Sequence, residues 1–137
     1  MQPRGLRNNN PLNIRRTTTK WQGLAPTQTD PEFCQFQTLE YGWRAAFRLL
    51  THSYFEKYGL DTIRKIISRW APPVENNTSA YITSVSRITG IPPDKPLGPP
   101  QDYPAYWLML GAAMALHENG QHHLDYLAML RGYEIAQ

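Results

Sequence analysis

The sequence predicts a mainly α domain with a small β or loop layer (α+β), a single unit across residues 1–137. Three observations predict it. Apolar residues recur at helical spacing in five stretches after residue 38, and residues 1–37 carry Asn, Gly and Pro punctuation with only short apolar runs. Residues 104–118 are apolar nearly all round, as expected of a helix buried at the centre of a small protein. The 137-residue length suits one core, since domains commonly hold roughly 100–150 residues.

Taken in order, Asn8-Asn9-Asn10-Pro11 reads as a turn cluster, because Asn tolerates left-handed φ and bonds its own backbone. Leu12 to Arg15, Trp21 to Leu24 and Phe33 to Phe36 are predicted as short strands around it. Thr38 can cap a helix carrying Trp43, Ala46, Phe47, Leu50 and Tyr54, stopped by Gly59; Trp43 and Tyr54 are expected in the core. Asp61 can cap a second, with Ile63, Ile66, Ile67 and Trp70 on one face and Pro72-Pro73 ending it. A third runs from Thr78 through Tyr81, Ile82, Val85 and Ile88 to Gly90. Residues 91–101 hold five prolines and read as an extended strap. Pro104 opens the apolar helix to Glu118, with Asn119-Gly120 as its stop, and an amphipathic helix from Leu124 to Leu130 closes the chain before Gly132.

Composition narrows the function classes. A net charge of +3 and a pI near 9.1 come from cations scattered singly or in pairs, not from the basic stripe of a nucleic-acid binder, so no nucleic-acid partner is expected. One cysteine, Cys34, excludes an internal disulfide. No run approaches the ~18 apolar residues of a membrane span, and the first residues lack a signal-peptide apolar core. The expectation is a protein made in the cytoplasm without an integral membrane segment, reaching the periplasm or wall by a virion, holin or secretion system. No cofactor is called for. His117, His122 and His123 do not make a zincin pair, because the second imidazole comes five residues after the first and Asn119-Gly120 breaks the helix between them; no metal site is expected.

The sharpest candidate is Glu118, at the C-terminal end of the most apolar helix. The negative end of the helix dipole and an apolar wall both disfavour an ionised carboxylate there, and a neutral acid is what protonating a glycosidic oxygen requires. Glu75 stands in a polar loop before Asn76-Asn77-Thr78. It suits either a second carboxylate or an N-terminal charge for the next helix. Asn8, Asn9, Asn10, Asn13, Trp21, Asn76 and Tyr81 make a second theme of amides and flat rings, the groups that bind sugar hydroxyls and C–H faces.

A resemblance joins these residues. Arg4-Gly5-Leu6-Arg7-Asn8-Asn9-Asn10-Pro11-Leu12-Asn13-Ile14-Arg15, Trp21-Gln22-Gly23, Phe33-Cys34-Gln35-Phe36, Gly42-Trp43-Arg44-Ala45-Ala46, Arg69-Trp70-Ala71-Pro72-Pro73-Val74-Glu75-Asn76-Asn77-Thr78 and His117-Glu118-Asn119-Gly120 resemble a small phage and prophage virion "structural protein" family. That family includes the lytic muramidase of enveloped double-stranded RNA phages. The Asn-Asn-Pro to Phe-Cys-Gln-Phe stretch is also similar to the segment following the catalytic Glu in flagellar-type N-acetylglucosaminidases. There a buried helix ends in the Glu and the Asn-rich sheet follows; here the Glu118 helix comes last, an order that fits a circular permutation. Leu12 departs from the Gly often seen in Asn-Asn-Pro-Gly-Asn-Ile, and Asn119 departs from the Glu-Ser pair of many lytic transglycosylases. The resemblance implies a lysozyme-like domain cleaving the β-1,4 bond between the amino sugars of peptidoglycan, as muramidase or lytic transglycosylase. Glycan strands would be its substrate and other virion or delivery proteins its further partners. The alternative is a non-catalytic virion structural or wall-binding module.

Overall fold

A computed structural model describes residues 2–73, 77–120 and 124–137. Among the described residues the order is α1 (Arg4–Arg7), α2 (Leu39–Phe47), a π-helical segment (Arg48–Lys57), α3 (Ile63–Trp70), α4 (Thr78–Thr89), α5 (Pro104–Asn119) and α6 (Tyr126–Ile135). The mainly α expectation holds, whereas the predicted strands do not form. Their place is taken by two isolated antiparallel bridges, Arg15 with Phe33 and Leu24 with Phe36. The segment folds as a loop layer because side chains do the pairing. Asn10 donates from Nδ2 to Ile14 O and Cys34 O at 3.0 and 2.9 Å and accepts from Ile14 N at 2.8 Å, which leaves no room for a ladder.

Asp30 is the second fastener of that layer. Its carboxylate accepts from Arg4 Nε and Nη2 at 2.7 and 2.6 Å, from Asn8 Nδ2 at 3.0 Å, and from the amides of Glu32 and Phe33 at 2.9 Å. The Arg4 guanidinium, helped by those amides and Asn8, holds the Asp30 carboxyl well below the usual carboxylate range. A carboxyl depressed in the folded state contributes stability that is complete above its unfolded pKa of about 3.9 and lost as pH falls below it. Asp30→Asn should therefore melt below the wild type at pH 7, and the gap should begin to close only below about pH 4 in a thermal-melt series.

Helix starts follow their caps. The side chains of Thr38, Thr62, Asn77 and Asp125 accept from Tyr41 N, Lys65 N, Ala80 N and Ala128 N. Thr62 thus takes the capping place assigned to Asp61. Past Phe47 the backbone slips into π register. The Thr51 hydroxyl donates to Phe47 O at 2.7 Å, competing for the acceptor that its own amide would use in an α-helix. The slip turns Tyr54, expected in the core, to a half-buried position, and Phe55 packs edge-on against Trp107 with ring centroids 5.4 Å apart. Helix α6 runs past Gly132 rather than stopping before it. A hydrogen is all that fits at Gly132, since a Cβ there would overlap the Cβ of Trp43 on α2.

The core is built on α5, against which α1, α4 and α6 pack, with α2 seated on α6. Trp107, Leu110, Ala113 and Met114 are fully buried together with Trp43, Phe47, Leu50 and the Ile63, Ile66, Ile67 face of α3. Each large side chain contributes about 1.5–3 kcal/mol of transfer free energy. The proline strap is tied down by buried Ile91 and Leu97, by Leu97 N to Asp61 O at 2.8 Å, and by the Trp107 indole N–H donating to Gly98 O at 3.0 Å. No helix among the described residues is long and apolar enough to cross a membrane.

Candidate active site

Helix α5 ends where its apolar sequence runs out, and its last turn presents Glu118 beside the N-terminal loop layer. The Glu118 carboxylate is held at both oxygens. Asn13 Nδ2 donates to Oε1 and the Tyr81 hydroxyl to Oε2, each at 2.9 Å. Asn13 reaches it from a left-handed turn, φ +54°, which an Asn accepts and most side chains resist. Leu12 is fully buried and does not take a positive φ, so the backbone at that position does not require a glycine.

Behind this pair lies a close-packed polar corner. Asn119 is buried, donating from Nδ2 to Pro11 O and Ala115 O at 2.7 and 3.0 Å, which pins the end of α5 to the Asn-rich loop. The Oδ1 atoms of Asn13 and Asn119 have no hydrogen-bond partner among the described residues. Both face Gly5: a Cβ there would lie 2.7 Å from that of Asn13, 2.6 Å from that of Asn119 and 2.8 Å from Asn10 O. Glycine at position 5 lets the three oxygens rest against its Cα–H and so sets where Asn13 stands.

Glu118 sits at the seam of two clefts. The larger, about 320 Å³, has Asn13, Arg15 and Thr17 on one side and Leu49, Tyr54, Trp70 and Ala71 on the other, with Ile14 and Phe33 completing the lining. The smaller, about 210 Å³, is bounded by Asn77, Ala80, Tyr81 and His117. Glu118 is the carboxylate common to both. Among the described residues no other carboxylate lines either cleft. Burial and the nearby Glu118 charge push the Tyr81 phenol well above its ordinary range, so it stays a donor. The His117 ring stacks on Tyr81 at 3.9 Å between centroids; partial burial lowers its pKa against the opposing pull of Glu118, which favours the neutral imidazole. Tyr81→Phe should cost about 1 kcal/mol in a urea unfolding series, since it removes one hydrogen bond to a partly exposed carboxylate.

The predicted sugar ligands divide. Glu118, Asn13 and Tyr81 come together, but Tyr81 is buried and holds Glu118 instead of facing a ligand. Asn8, Asn9 and Asn10 are corrected: their amides are engaged inside the protein. Asn8 bonds Asp30 and Gln35, Asn9 bonds Phe36 O from a left-handed φ of +52°, and Asn10 is completely buried. Trp21 is half-buried against the core and lines neither cleft at Glu118. Glu75, Asn76, His122 and His123 lie outside the described residues. Among the described residues no cluster of three or more His, Cys, Asp or Glu side chains is placed to hold a metal. Sequence reasoning missed Leu49 and Tyr54 as cleft walls, because an α-helical register sends them to different faces whereas i→i+5 bonding brings them together.

No family model matches the chain. It is similar to "Protein P5" of Pseudoalteromonas phage PM2, with 42% identity over 134 residues, spanning 96% of this chain and 80% of that protein.

Proposed function

The chain belongs to the family of Protein P5 of Pseudoalteromonas phage PM2, and from that premise we propose that it is a phage-encoded peptidoglycan glycosidase with a lysozyme-like fold. It would cleave the β-1,4 bond between amino sugars as muramidase or lytic transglycosylase. The observation that carries this reading is the Glu118 carboxylate at the meeting of two clefts, closing the central apolar helix and gripped by Asn13 and Tyr81.

In this reading a glycan strand crosses Glu118 with sugars in both clefts. Glu118 protonates the leaving oxygen, then takes a proton from water in a hydrolase or from the substrate's own 6-hydroxyl in a transglycosylase. Trp70 and Tyr54 offer flat apolar faces to the sugar C–H groups on the larger side, and Asn13 keeps the acid aimed. A hydrolase needs a second carboxylate, roughly 5–5.5 Å from the first for retention or 6.5–9.5 Å for inversion, and Glu75 is the proposed one. The protein would act on the wall after delivery by a virion, holin or secretion system, in company with other virion proteins.

Incubating the protein with purified sacculi and separating the products by chromatography tests the proposal. New reducing ends identify a hydrolase and new anhydro ends a transglycosylase. Sacculi that are bound but yield neither would make the protein a non-catalytic wall-binding or virion structural module.

A further inference from the structure

We propose that Tyr58, Arg69 and Lys57 extend the larger cleft outward as a second binding surface, one that takes the carboxylate-bearing peptide branches of a peptidoglycan strand. The inference rests on the glycan reading of the Glu118 cleft and names which part of the polymer meets the protein beyond it.

The surface begins inside the cleft. Trp70, the last residue of α3, and Tyr54 of the π segment both line it, with ring centroids 6.0 Å apart at 66°. From that corner the same pair of elements continues outward. The Arg69 guanidinium carbon lies 5.6 Å from the Tyr54 ring centroid and 4.2 Å from that of Tyr58, and Lys57 Nζ lies 5.4 Å from Tyr58 on its own approach. Aromatic and cationic groups therefore alternate from the cleft to the surface. The π register makes this possible, because residues four and five apart share a face and Leu49, Tyr54 and Tyr58 fall in one stripe.

Two features suit this stripe to an anionic ligand rather than to internal packing. Arg69, Tyr58 and Lys57 are exposed, Tyr58 at 48%. Among the described residues, no carboxylate forms an ion pair with Arg69 or Lys57; their neighbours are ring faces and, for Arg69, the Tyr54 hydroxyl. A guanidinium laid on a ring keeps its outer N–H groups for a planar bidentate acceptor, and carboxylate is such a group. Peptidoglycan supplies it at regular intervals on the short peptides branching from its amino sugars. Single-stranded nucleic acid also suits rings and cations, but a strand continuing into the cleft would bring its phosphates onto Glu118.

The test measures sacculus binding by sedimentation in the full chain carrying Glu118→Gln, so that cleavage does not erode the target. Adding Arg69→Gln and Tyr58→Ala should weaken binding about tenfold at low salt and flatten its salt dependence, with the melting temperature nearly unchanged. Sacculi whose carboxylates have been amidated should bind the parent as weakly as untreated sacculi bind the triple variant. Equal binding by parent and variant would overturn the proposal, as would indifference to amidation or Arg69-dependent binding tighter to single-stranded DNA than to sacculi. The cleft reading is separable: a wild type that binds through Arg69 yet releases no sugar ends loses the glycosidase proposal and keeps this surface.

Discussion

Glu118→Gln is expected to abolish the release of new sugar ends from sacculi, with a fall of at least about 10²–10⁴ in rate, the range that a positioned general acid supplies. The fold should survive. A glutamine in that place can accept from Asn13 Nδ2 with its oxygen and donate to the Tyr81 oxygen with its amide, so both neighbours keep a partner. Stability should change by less than about 1 kcal/mol, read by urea unfolding. The pairing of outcomes is what makes the variant informative: an inactive protein with an unchanged melt assigns the loss to chemistry. A variant that still clears sacculi would remove Glu118 from the mechanism.

The second large effect is on folding. Gly42→Ala on α2 would drive a methyl group into the Asn9 carbonyl oxygen and bring it to 2.9 Å from Pro11 Cδ. The obstacle is backbone on one side and a ring on the other, so neither can turn aside as a flexible side chain would. We expect a loss of about 3 kcal/mol, at the upper end of overpacking costs, and a melting temperature lower by roughly 10 °C. The damage should also reach the site. Asn9 and Asn13 hold left-handed turns in one tight loop, and pushing the loop away from α2 draws Asn13 off Glu118. Any residual folded fraction should therefore turn over more slowly than wild type when rates are normalised to folded protein.

Gly42 stands inside a motif that the sequence marks only as part of a resemblance, and that contrast runs through the molecule. Local chemistry was legible wherever one short segment decides the outcome. Pro104, an unbroken apolar run and Gly120 determine α5; Gly90 at φ +73° ends α4; and Asn9 and Asn13 take the left-handed turns their side chains permit. The place of Glu118 at the end of the most apolar helix was legible too, whereas the two donors that hold its oxygens, Asn13 and Tyr81, come from segments 105 and 37 residues away. Other outcomes depended on groups far apart in sequence. Asn8 and Asn10 read as sugar ligands until Asp30 and Cys34, more than twenty residues away, claimed their amides. Tyr81 read as a contact for substrate until folding placed its hydroxyl 37 residues on, against Glu118.

By itself, then, the sequence determined that five helical stretches follow residue 38, that Thr38 caps the first of them, and that Glu118 falls at the end of the most apolar one, since each follows from propensity and hydrophobic period over a single turn or two. Only the tertiary structure decided which polar groups stay available for a ligand. A hydrogen-bonding side chain in a small protein is taken up by whichever partner burial brings nearest, and that partner is set by packing across the whole chain. The slip of Arg48–Lys57 into π register is the same lesson at the backbone: one hydroxyl, on Thr51, competes for one carbonyl, and the wall of the cleft changes with it.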